Sequence, residues 1–86
     1  MLHVSTPAAA RMAHLLNTRP VNAVLRIVRQ NQRLRLRLGT VHPGDQTFVH
    51  DGRVVLALDE PMGTRLTFRQ LDLNETKGRT RLRLKK

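Results

Sequence analysis

The side chains in this sequence best suited to holding a ligand are six arginines in two alternating runs. These are Arg33-Leu34-Arg35-Leu36-Arg37-Leu38 and Arg79-Thr80-Arg81-Leu82-Arg83-Leu84. A guanidinium presents a planar fork of N–H donors that fits phosphate or carboxylate oxygens, so Arg33, Arg35, Arg37, Arg79, Arg81 and Arg83 are candidate anion- or phosphate-binding residues. Alternation with a period of two fits a β-strand, whose successive side chains point to opposite faces. Each run then presents arginines on one face and mainly leucines on the other. The leucine face can enter a core, while the arginine face must stay wet or meet something negative. Four readings compete. The arginines are a solvated face that blunts strand edges, or they meet a phosphate backbone, an acidic protein or anionic lipid. Lipid fits worst, because no apolar face is left over for insertion. A nucleic-acid surface would have low specificity, since Phe48 and Phe68 are the only aromatics available for stacking.

Other chemistry finds little support. With no cysteine there is no disulfide, no thiolate nucleophile and no Cys-ligated metal. His3, His14, His42 and His50 show no i, i+4 pairing and no carboxylate at metal-ligand spacing, so they read as surface or loop residues. Among the acids, Asp51 is explained by a turn and Asp59 by a helix cap, which leaves no persuasive general acid–base pair. Ser5 is the only serine and lacks a nucleophile-elbow context. The glycines do not form a phosphate-cradling pattern. A non-enzymatic protein with no cofactor and no metal is expected.

Charge and composition set the class. The net charge is +10, and it is unevenly spread. Residues 1–44 hold seven arginines and no acid, residues 45–76 hold three arginines against six acids, and residues 77–86 hold six bases. The basic blocks flank a mildly acidic middle and can form one surface if the two Arg-Leu strands are neighbours. Leu, Val, Ile and Phe supply 25 residues, enough for one modest core, so residues 1–86 are read as a single domain. No apolar stretch approaches the roughly 18 residues of a membrane span, and Met1-Leu2-His3-Val4 opens no signal-peptide hydrophobic region. A soluble, cytoplasmic protein is expected. Its candidate partners are an acidic protein or, as the alternative, nucleic acid, and a homodimer is compatible with either.

The elements that must position these residues are legible. Thr6 before Pro7 reads as an N-cap, and Ala9, Met12, Ala13 and Leu16 repeat at helical spacing over Pro7–Leu16. Ala23–Arg29 reads as a strand, and Gln30-Asn31-Gln32 as a turn into the first Arg-Leu strand. Residues 39–45 are a loop. Gln46–His50 and Arg53–Leu58 are strands joined by the strong hairpin signal Asp51-Gly52. Asp59 caps a short helix with Pro61 in its first turn and Leu66 facing inward, although Gly63 inside it costs about 1 kcal/mol relative to alanine. Leu71 and Leu73 mark a strand that turns at Lys77-Gly78 into the last Arg-Leu strand. The sum is a small α+β domain, mostly antiparallel, with an N-terminal helix and a second short helix. Leu34, Leu36, Val54, Leu56, Leu82 and Leu84 should face inward.

This order of segments resembles the A-type iron–sulfur cluster carriers, the HesB-like family. The family's Thr-Pro-x-Ala-Ala helix start is matched by Thr6-Pro7-Ala8-Ala9-Ala10, and its Leu-Arg-hydrophobic strand by Leu25-Arg26-Ile27-Val28. Its acidic turn and Asp-Gly valine-rich hairpin are matched by Gly44-Asp45 and Asp51-Gly52-Arg53-Val54-Val55-Leu56. A helix leucine and a Leu-Asp strand follow, here Leu66 and Leu71-Asp72. The resemblance spans roughly residues 4–84 and implies a HesB-like fold and a role in iron–sulfur protein biogenesis. The family also carries three cysteines, one in a Gly-Cys loop and two in a C-terminal Cys-Gly-Cys. Here the first position falls near Arg35 to Gly39, and Lys86 is reached before any such tail. The resemblance therefore implies a divergent or accessory member that does not itself ligate a cluster, since thiolates are the soft ligands such clusters require.

Overall fold

A serine hydroxyl starts the first helix of the computed structural model, which describes residues 1–76 and 78–85 and, among these, the side chains of all but Glu75, Thr76 and Arg79. Helix α1 (Thr6–Leu16) is capped by Ser5, whose Oγ accepts from the Ala8 N–H at 3.2 Å. Thr6 is already helical, one residue earlier than its hydroxyl and the following Pro7 suggest. The buried stripe of α1 is Ala8, Met12 and Leu16, at i, i+4 and i+8.

Among the described residues seven strands and a second helix accompany α1. They are β1 (His3–Val4), β2 (Val24–Gln30), β3 (Arg33–Gly39), β4 (Gln46–His50), β5 (Arg53–Leu58), β6 (Gln70–Thr76) and β7 (Arg79–Lys85), with α2 (Glu60–Arg65) between β5 and β6. They form two mixed sheets. One has the order β3-β2-β5-β4, with β2 and β5 parallel and the other pairs antiparallel. The other has the order β1-β6-β7, with β1 parallel to β6 and β6 antiparallel to β7.

Local chemistry sets the turns. Asp51 (φ 51°) and Gly52 (φ 78°) are both left-handed, as the two-residue hairpin turn requires. The turn between β2 and β3 makes the same demand on Asn31 (φ 51°) and Gln32 (φ 64°) without any glycine. Asp59 caps α2 by accepting from the Met62 N–H at 2.8 Å. Gly63 has a packing reason to interrupt that helix: a β-carbon there would lie 2.7 Å from Cδ of Gln46. Lys77, the other half of the expected Lys77-Gly78 turn, lies outside the described residues.

The core gathers Met12 and Leu16 of α1, Leu25 and Ile27 of β2, Leu56 and Leu58 of β5, and Leu66 and Leu71. Leu34, Leu36, Leu82 and Leu84 pack against it half-buried, and Leu66 faces inward as the sequence implies. Val54 departs from expectation. It is half-buried outside the core cluster, while Val55, Leu56, Ala57 and Leu58 are all buried. Strand β5 is covered on both faces, so its apolar run carries no alternation from which to choose an inward face.

Candidate anion-binding groove

The two Arg-Leu runs are strands, and both are edge strands. β3 ends the four-stranded sheet and β7 ends the three-stranded one. In the β2–β3 ladder Ile27 stands opposite Leu36 and Val28 opposite Arg35. Paired residues share a face, so leucines lie with the core residue Ile27 while Arg33, Arg35 and Arg37 are exposed on the other side. The β6–β7 hairpin repeats the arrangement, with Leu82 opposite Leu73, Arg81 opposite Asn74 and Arg83 opposite Asp72.

The runs are therefore not paired within one sheet, yet they are neighbours. They meet edge to edge across a groove of about 590 Å³, with Arg33–Arg37 along one wall and Thr80, Arg81 and Leu82 along the other. Of the six sequence candidates, Arg33, Arg35, Arg37 and Arg81 come together here. Arg83 is exposed but lies outside the groove lining, and the side chain of Arg79 lies outside the described residues. Arg37 donates through Nη2 to Oε1 of Gln30. Among the described residues no carboxylate pairs with Arg33, Arg35, Arg37 or Arg81. At one end of the groove, Arg11 of α1 reaches Oγ1 of Thr80 at 3.5 Å.

Other arginines, Arg26 and Arg53, hold the fold through contacts that no sequence pattern announces. Arg26 donates through Nη1 to the carbonyl of Thr40 at 3.0 Å and forms an ion pair with Asp45. Asp45 also accepts the His42 N–H at 2.8 Å. The hydrogen bond from Arg26, then that from His42, holds the Asp45 carboxyl below the usual carboxylate range, and the same contact raises Arg26. Arg53 donates to the carbonyls of Leu16 at 3.0 Å, Pro20 at 2.9 Å and Ala23 at 3.4 Å, satisfying orphan carbonyls beyond the end of α1. Asp72 accepts from the Ser5 hydroxyl at 2.6 Å and pairs with Lys85 at 3.3 Å, contacts that lower its carboxyl in that order.

Elsewhere the surface offers less chemistry. An apolar hollow of about 650 Å³ lies between Val21, Val24, Val41 and Val54, and the guanidinium of Arg53 on its wall is already engaged with carbonyls. Among the described residues no group of three or more His, Asp or Glu side chains stands close enough together to hold a metal ion. No helix among them is long and apolar enough to cross a membrane.

The two-sheet arrangement with its capped N-terminal helix is the HesB-like fold of A-type iron–sulfur carriers. One solved structure sharing it is Escherichia coli SufA, involved in the biosynthesis of iron–sulfur clusters. It superposes with a TM-score of 0.68 at 17% identity, over 96% of this chain and 77% of SufA. IscA, in a structure with a [2Fe-2S] cluster, superposes with a TM-score of 0.62 at 17% identity, over 98% of this chain and 83% of IscA. No protein-family model matches the sequence, and no curated protein matches it. At this identity the likeness is one of fold. The present sequence holds no cysteine, and among the described residues its four histidines stand apart from one another.

Proposed function

We propose that this chain is a non-enzymatic accessory protein of iron–sulfur cluster biogenesis that acts through contacts with other proteins and does not itself ligate a cluster. The observation that carries the reading is the pairing of a SufA-like fold over 96% of the chain with a sequence that has no cysteine. A fold kept without its thiolates retains shape and surface, and those serve protein contacts. The cluster is then cargo on another protein, and this chain contributes the surface that the carrier or the acceptor meets.

Two measurements test this. Incubated anaerobically with iron and sulfide, the purified protein should stay colourless and bind iron well below one equivalent. A stable brown species with stoichiometric iron and sulfide overturns the non-ligating part. Added to a loaded carrier and an apo acceptor, the protein should change the rate of cluster transfer while retaining no iron itself. An unchanged rate, with no binding to carrier or acceptor, overturns the role in biogenesis.

A further inference from the structure

The groove between β3 and β7 has features that a solvated arginine face does not need. Both walls are sheet edges, and among the described residues no further strand is hydrogen-bonded to either of them. The two-residue turn Asn31-Gln32 closes on the pair Gln30–Arg33. In such a hairpin the closing pair exchanges both its hydrogen bonds, and bonded pairs recur at every second residue. The backbone groups of Arg33, Arg35 and Arg37 therefore point toward β2, and those of Leu34 and Leu36 point to the open edge. The groove thus offers alternating N–H and C=O groups from Leu34 and Leu36, flanked by the guanidinium groups of Arg33, Arg35 and Arg37 and faced by Arg81.

We propose that this groove binds an extended acidic segment of a partner protein, which adds as a strand to the free edge of β3 with alternate carboxylates facing Arg33, Arg35 and Arg37. The proposal rests on the reading that the chain works through protein contacts, and it supplies the chemistry of the partner. An added strand places side chains i, i+2 and i+4 at a spacing of about 6.6 Å, twice the rise per residue, which is the spacing of the three arginines themselves. Acids at alternate positions then meet arginines one to one, with main-chain bonds giving affinity and side-chain pairs giving choice of partner. Arg81, on the opposite wall, adds a second donor to the same segment. No acid occurs in residues 1–44, so nothing on β3 repels such a segment. A second copy of the chain is rejected, because edge pairing would set arginine against arginine. A polynucleotide could meet the arginines, but its phosphates have no donor for the open carbonyls of Leu34 and Leu36. The groove lining also has no aromatic ring on which a base could stack.

The test uses a fluorescent heptapeptide of alternating glutamate and threonine, followed by anisotropy at physiological salt. Two further probes are run beside it. One is the same peptide methylated on the backbone nitrogens that would face β3, its charge unchanged. The other is an oligothymidylate of matched charge. The plain peptide should bind and shift the Leu34 and Leu36 amide resonances. The methylated peptide should bind at least about tenfold more weakly. Changing Arg33, Arg35 and Arg37 together to Gln should weaken binding at least about tenfold with the circular dichroism spectrum unchanged. Failure of the plain peptide to bind, equal binding of the methylated one, or tighter binding of the oligothymidylate each overturns the proposal. The last outcome assigns the groove to nucleic acid. The methylated peptide keeps the test decisive even if the triple variant misfolds. None of these results bears on the transfer assay, so this proposal can fail while the role in biogenesis stands.

Discussion

Arg26 lies across Gly39, with its Cδ only 2.7 Å from where a β-carbon on residue 39 would stand. Gly39 pairs with Val24, two residues before Arg26 on β2, so the two share one face of the sheet. The missing side chain leaves the passage through which Arg26 reaches Thr40 and Asp45. Its far end is nearly enclosed, the Arg26 and Asp45 side chains being 12% and 2% exposed. A sheet strand is thereby tied to the loop that leads into β4.

Gly39→Ala should therefore destabilise the protein by about 1–3 kcal/mol through overpacking. Its φ is not in the left-handed region, so the cost is steric and acts through Arg26. In an Arg26→Ala background the same substitution should cost much less, a coupling that a double-mutant cycle by urea unfolding measures. Strictly additive effects would show that Gly39 is conserving something other than passage for Arg26.

The enclosed pair also sets an acid dependence. Asp45 titrates below its unfolded value, about 3.9, because Arg26 and the His42 N–H favour its charged form. The stability gained is fully present above that unfolded value and is lost as pH falls through the lower, folded one. Unfolding free energy should thus fall on acidification below about pH 4. Asp45→Asn should make that fall shallower, while Asp72, also lowered, keeps part of it. At pH 7 Asp45→Asn should cost about 1.5–3 kcal/mol, the range for a hydrogen bond to a charged group, since Arg26 keeps the Thr40 carbonyl but loses its counter-charge. Urea titrations from pH 2 to 7 check both points, and an unaltered acid limb in the variant would remove Asp45 as a contributor.

Much of this was legible in the sequence, for identifiable reasons. The Arg-Leu strands showed themselves because one of their faces is wet, and strict alternation follows. Asp51-Gly52 and Asp59 were readable because turn and cap chemistry are local. Strand β1 was missed, since His3 and Val4 are too few to show a period. Ser5 and Thr6 both precede Pro7 with hydroxyls, and only geometry shows that Ser5 accepts from Ala8. The division into two sheets was hidden because the β2–β5 pairing joins segments far apart, Leu25 with Leu56, without a local signal. The groove was half legible: the residues that line it could be named, but not that they face one another across two separate sheet edges. The contacts of Arg26 and Arg53 are not legible in the sequence, because an arginine's task depends on which carbonyl or carboxylate the fold brings to it.

The contrast between Arg53 and Arg35 tests that division of labour among the arginines. Arg53 donates to three carbonyls at and beyond the end of α1, so truncating it leaves acceptors without their donor. Arg53→Ala should cost about 1.5–3 kcal/mol, the range for hydrogen bonds involving a charged group. Arg53→Lys should recover only part of this, because a compact ammonium cannot span carbonyls that a guanidinium fork bridges. Arg35→Ala, on the exposed face of β3, should change stability by less than about 0.5 kcal/mol. Leu56→Ala, fully buried in β5, should cost about 2–5 kcal/mol and so marks the scale of a core loss. Urea unfolding of the four variants at one pH gives the ranking directly. If Arg35→Ala proves as costly as Arg53→Ala, the arginines of β3 hold the fold together and are not a surface free to meet a partner.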